Sequence, residues 1–259
     1  LEMHVRTLRG ALWCGLVLTS AACADTKPAE PASQSQPVQA TPSAAELRAK
    51  AKALFGVLPE VMESPNSKLT PEKISLGHQL YFDTRLSRGQ ELSCASCHDL
   101  NGYGVDTRPE AIEKGKSFGH RKQFGERNSP STYNAAIHIS QFWDGRASDV
   151  EEQAKGPILN PVEMTMADES SVVAVLKSIP GYEPLFKAAF PELEAPITYD
   201  AMAQAIGAYE RTLVTRDRFD KFLKGDDAAL GPQEQQGLSD FIDAGCIACH
   251  LGPGVGGGM

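Results

Sequence analysis

The sequence has no surplus of positive charge: 25 Lys and Arg face 33 Asp and Glu, a net charge of −8. Nucleic acid and anionic membranes both call for a basic surface, so neither is an expected partner. Long apolar runs are missing as well. The stretch 10–22 is thirteen residues long, whereas a spanning helix needs about 20. Preceded by Arg6 and Arg9 and followed by small residues, it reads as a secretory leader covering 1–24, cleaved after Ala24. A lipidated Cys23 is the weaker alternative, because Ser20 stands where lipoprotein signals usually carry Leu. The expected location is therefore periplasmic. Alternating strand-like segments are absent, and so is any repeat beyond one short motif.

Cysteine is scarce too. Outside the leader only four remain, in Cys94-Ala-Ser-Cys97-His98 and Cys246-Ile-Ala-Cys249-His250. A zinc ribbon would set its Cys pairs roughly 15–20 residues apart, but 148 residues separate Cys97 from Cys246. A thioredoxin-like pair would sit beside a βαβ pattern, which is missing. Cys-x-x-Cys-His is the pattern of covalent c-type haem attachment. On one helical turn both thiols reach the porphyrin vinyl groups, and the adjacent His can ligate iron. Two haem c groups are expected, with His98 and His250 as iron ligands.

Between these motifs the chain reads as helical. Residues 25–43, rich in Pro, Ala, Ser and Gln, form a disordered linker. Ser43 and Glu46 make a capping box for a helix to Phe55, and Thr70-Pro71 opens another with Ile74, Gly77 and Tyr81 on one face. Ser148 and Glu151 suggest a further box, and helices are expected over 168–179, over 198–213 and after Gly231-Pro232. Residues 99–147, dominated by Gly, Pro, Asn and Ser, form a long connection of the kind that usually carries function. The expected fold is all-α, with two cytochrome c-like haem domains. The first occupies 44–215, and the second begins at 216 and is incomplete at 259.

Several stretches resemble the bacterial dihaem cytochrome c peroxidases: LGHQLYFDTRLS (76–87), ERNSPSTYNA (126–135), QFWDGRA (141–147), QAKGPILNPVEM (153–164), LKSIPGYEPLFKAAFP (176–191), RFDKFLKGD (218–226) and GLSDFIDAGCIACH (237–250). The resemblance implies an enzyme that reduces hydrogen peroxide to water with electrons from a small cytochrome c or cupredoxin. It implies peroxide chemistry at the N-terminal haem and electron entry at the C-terminal one. Glu163 would be the acid/base carboxylate, Gln153 its polar neighbour, and Trp143 the residue between the haems. His120 would be a releasable distal ligand of the first haem iron, and Asn128 a ligand of a calcium ion. Homodimers recur in that family. The family's chain continues well past the second motif and supplies a distal Met there, so this chain is expected to be C-terminally truncated. Two other readings stay open: a dihaem electron carrier without peroxidase activity, and a methylamine-utilisation-type dihaem oxidase acting on a protein. His78, His138, Met164 and Met166 are expected to be structural.

Overall fold

A computed structural model describes residues 42–256. The leader, Cys23 and nearly all of the expected linker lie outside the described residues. Among the described residues the regular secondary structure is helical, with no strand. The α-helices are α1 Ala44–Phe55, α2 Pro71–Tyr81, α3 Cys94–Cys97, α4 Pro109–Lys114, α5 Val150–Leu159, α6 Glu169–Ser178, α7 Tyr182–Ala189, α8 Tyr199–Glu210, α9 Arg218–Lys224 and α10 Pro232–Asp243. No described helix is long and apolar enough to cross a membrane.

Local chemistry sets most of the helix starts. Ser43 and Glu46 exchange hydrogen bonds as a capping box, and the hydroxyl of Thr70 accepts from the Lys73 amide ahead of Pro71. The cap of α5 differs from the Ser148–Glu151 expectation: Asp149 accepts from the Glu152 amide instead. Glu151 is not available to the cap, because Arg211 holds both of its carboxylate oxygens at 2.8 Å. Helix α8 is shorter than the 198–213 stripe. Thr198 caps its start, and Arg211–Leu213 close it in turns that pair with the loops around Met62 and Asn134.

Two apolar cores result. The larger gathers Leu76 and Leu80 of α2, Ile158 of α5, Leu176 of α6, Phe186 of α7, and Met202 and Ile206 of α8. Its tightest crossing lies at Gly77, where a Cβ would stand 1.8 Å from the carbonyl oxygen of Ala205. Only glycine lets α2 approach α8 this closely. The smaller core joins Leu47, Ala51 and Phe55 of α1 to Phe222 and Leu223 of α9 and Ile242 of α10. Helix α1, which lies within the 44–215 span expected for the first haem domain, turns its apolar face to α9 and α10.

The long connection is ordered without sheet structure. Three isolated bridges, Asp99–Val105, Phe118–Phe124 and Gln141–Ala147, each close a small loop. Each loop contains a left-handed residue (Tyr103, Arg121 and Phe142 among them) that lets the chain reverse within it.

Gly77→Ala is expected to lower stability by about 1–3 kcal/mol, the usual cost of overpacking a filled core. That clash outweighs the roughly 1 kcal/mol helix-propensity gain of alanine. The urea midpoint of the purified protein measures it, with Gly237→Ala, where nothing lies within 4 Å of the added Cβ, as the control.

Candidate functional site

The single turn of α3 carries Cys94 and Cys97, and it is capped at Ser93, just before the motif, with the Ser93 amide donating to Ser96 Oγ at 3.0 Å. His98 follows immediately, its amide donating to the Cys94 carbonyl at 3.0 Å. The imidazole Nδ1 lies 3.1 Å from the carbonyl oxygen of Gly104 in the first small loop. A ring that donates there from Nδ1 keeps its Nε2 lone pair free for a metal. Burial lowers the His98 pKa, which favours the neutral, ligating form. From below, the Tyr81 hydroxyl at the end of α2 donates to the His98 carbonyl at 3.1 Å. The larger helical core is thereby tied to the motif.

Cys94, Cys97 and His98 line a cavity of about 370 Å³. Both thiols are free, and burial pushes the Cys97 thiol up to about 11 and the Cys94 thiol higher still. Arg108 backs this wall: its guanidinium stacks on Phe118 at 3.6 Å, pairs with the fully buried Asp106 carboxylate and donates to Cys97 Sγ at 3.3 Å. Apolar walls, two free thiols and a neutral, oriented imidazole form a donor set that fits a covalently held haem.

The other side of the cavity comes from α5 and the turn after it. Gln153, Pro157 and Glu163 all line it. Asn160 shapes the turn, accepting from the Val162 amide at 3.0 Å through its side-chain oxygen and donating to Glu163 Oε1 at 2.8 Å. Burial raises the Glu163 pKa, with Arg146 pulling weakly the other way. The sequence reading did not single out Asn160, although an Asn directly before Pro161 marks such a turn.

His120 lies close to this turn but faces elsewhere. Its backbone amide donates to the Glu163 carbonyl at 2.8 Å. The preceding Gly119 packs so tightly that a Cβ would meet the Val162 oxygen at 2.3 Å. The His120 ring pairs with the Glu91 carboxylate and is not among the side chains lining the cavity. Trp143 is 66% exposed and stands at the cavity rim, its Nε1 donating to the Asn128 carbonyl at 2.8 Å. Beside it, Arg146 stacks on Phe142 at 3.4 Å, and Arg127 and Arg146 share Asp144.

Asn128 lines the cavity beside Trp143. Its side-chain oxygen accepts from Ser117 Oγ at 3.0 Å. Among the described residues no three His, Cys, Asp or Glu side chains converge.

The second motif repeats the pattern in a different setting. His250 Nδ1 lies 3.0 Å from the Val255 carbonyl, and its ring leans on Phe241. Cys246, Cys249 and His250 are nevertheless exposed, and neither the large cavity nor a smaller one beside Phe55 includes them.

A family model described as di-haem cytochrome c peroxidase matches residues 71–228. The chain is 47% identical to a cytochrome c551 peroxidase of Pseudomonas aeruginosa over 82% of its own length and 60% of the relative's. It is 40% identical to the methylamine utilization protein MauG of Methylorubrum extorquens, covering 74% of this chain and 53% of that one. Among solved structures, a MauG-like protein associated with microbial copper homeostasis superposes with a TM-score of 0.64 at 31% identity, over 75% of this chain and 56% of that one. The chain thus spans between about half and three-fifths of the length of these relatives.

Glu163 also gives stability a pH dependence. Its folded pKa is raised, so between the unfolded value of about 4.3 and the folded one the native state binds more protons. Native stability therefore falls as pH rises through that window. Glu163→Gln is expected to flatten this decline, read as a smaller loss of denaturation free energy between pH 5 and pH 8.

Proposed function

The chain belongs to the di-haem cytochrome c peroxidase family, and from that premise we propose that it is an exported peroxidase that reduces hydrogen peroxide to water. The electrons come from a small cytochrome c or cupredoxin, and haem c is attached at Cys94/Cys97 and Cys246/Cys249. The observation that carries this reading is the half-buried Glu163 carboxyl in the same cavity as Cys94, Cys97 and His98, its pKa raised by desolvation.

When bound, the haem supplies the redox iron at which two electrons reach the O–O bond. The protein's own residues do the rest. His98, oriented by the Gly104 carbonyl, would hold the iron through its Nε2. Glu163 moves the proton: its carboxylate takes a proton from one peroxide oxygen and returns it to the other as the bond breaks. Two further protons from solvent complete two waters. Burial makes this exchange efficient, because it lifts the carboxyl pKa toward the working pH. Asn160 fixes Oε1 of Glu163 and leaves Oε2 without a described partner, free to meet substrate. Gln153 adds a polar contact on the same side of the cavity as Glu163, and Trp143 at the rim would offer an aromatic route for electrons to a haem held there.

The likeness to MauG favours a second reading, a dihaem oxidase that acts on a protein. The two separate by turnover. Purified, haem-loaded protein is expected to consume peroxide at a rate set by a reduced cytochrome c or cupredoxin. Glu163→Gln is expected to lower kcat by about 10²–10⁴-fold, the range for a lost general acid–base. Peroxide consumption that needs no small donor, or an undiminished rate in the variant, overturns the peroxidase reading. Intact-protein mass is expected to fall by one haem in the Cys94→Ser/Cys97→Ser protein.

A further inference from the structure

The cavity holds a second buried carboxyl that the proposed chemistry does not use. Glu210, at the last turn of α8, lines the same cavity as Cys94 and is only 6% exposed. No described group donates a hydrogen bond to its side chain. Its sequence neighbour Arg211 offers little compensation. That guanidinium is committed to both oxygens of Glu151 at 2.8 Å and to the Glu63 carbonyl at 2.8 Å. Glu151 itself lies close against α8, where Gly207 leaves room for it. Among the described residues, Glu210 therefore has a like charge beside it and, opposite in sign, a cation that is already occupied.

We propose that Glu210 is a proton-holding group coupled to the electron at the first motif. It takes one proton from solvent when the haem held by Cys94 and Cys97 gains one electron, and it releases that proton when the haem is reoxidised. The inference rests on the haem assignment above but not on peroxide turnover.

The physical reason is charge balance in a poorly solvated space. An electron added to the cavity raises the cost of a carboxylate there, and a carboxylate there raises the cost of the electron. Burial and Glu151 already push the Glu210 pKa up to about 8, so its ionisation falls where small changes count. Other ionisable groups around α8 do not take this part. On α2, Tyr81 is raised far above the neutral range, Lys73 is turned to Ser67 and Phe190, and His78 packs on Phe82 and Tyr209. On α5, Lys155 is shared between Glu152 and Asp200, while Glu169 and Lys177 of α6 are exposed. On α8 itself the Tyr209 hydroxyl is raised as well. Cys94 ceases to titrate once it is a thioether. Of the other carboxyls lining the cavity, Glu126 is exposed and Asp144 is paired with Arg127 and Arg146, so Glu163 is the competitor that needs its own arm in the test.

The experiment is a spectroelectrochemical titration of the N-terminal haem in the holoprotein between pH 6 and pH 9. In the native protein and in Glu163→Gln, the reduced-to-oxidised ratio at a fixed electrode potential is expected to fall by up to about tenfold per pH unit. In Glu210→Gln that slope is expected to be lost or greatly reduced. Redox-difference infrared spectra of the Glu163→Gln protein supply a second readout that needs no Glu210 variant: a protonated-carboxyl band that changes on reduction is expected to remain. An unchanged slope in Glu210→Gln, or no such band in Glu163→Gln, overturns the proposal. A Glu210-dependent slope in protein that does not turn over peroxide would keep this proposal and sink the peroxidase reading. Normal turnover with an unchanged slope would do the reverse.

Discussion

Most of the first site depends on how closely α2 can lie against α8. With glycine at 77 the two backbones meet, and the end of each helix is delivered to the motif loop. The last turn of α2 sets Tyr81 beneath the His98 carbonyl. The last turn of α8 sets Glu210 in the cavity wall and Arg211 against Glu151. A larger residue at 77 would push the helices apart, and the hydroxyl, the carboxyl and the ion pair would all lose register with the loop. Packing and chemistry here are one constraint.

The pocket built on that frame is short of compensating charge. Of the four acidic residues that line it, Glu126 is exposed and Asp144 is paired with Arg127 and Arg146, which leaves Glu163 and Glu210, among the described residues, without a cation of their own; Arg108 is engaged by Asp106 and Arg211 by Glu151. Glu163 is hydrogen-bonded by Asn160, which suits a group that must aim a proton at substrate. Glu210 has no such partner, which suits a group whose charge follows the local field. The two carboxyls thus take different roles because Glu210 is more deeply buried than Glu163 and the donors around each differ.

The two Cys-x-x-Cys-His motifs share their local pattern and little else. Each His is steered by a backbone carbonyl a few residues downstream, Gly104 for the first and Val255 for the second. The first lies in a cavity walled by the long connection. The second is exposed beside a small core that α1 completes from the opposite end of the described chain.

Much of this was legible in the sequence, because covalent and local signals do not depend on distant partners. Cys94, Cys97 and His98 announce their chemistry by spacing, and capping residues such as Ser43, Thr70 and Gly231-Pro232 mark helix starts by themselves. Resemblance brought Glu163 and Gln153 to attention, and both line the cavity. Other features required the folded chain. Whether Ser148 or Asp149 caps α5 depended on Arg211, sixty residues away, claiming Glu151. The partner of α1 depended on which apolar face lay bare. His120 pairs with Glu91, and Glu210 faces the cavity unpartnered, through contacts between segments far apart in the chain. Sequence by itself determined the attachment chemistry and the helical class, since both are written in neighbouring residues. Tertiary structure alone decided which charges are neutralised and which are left facing the cavity, because burial and pairing are properties of residues brought together by folding.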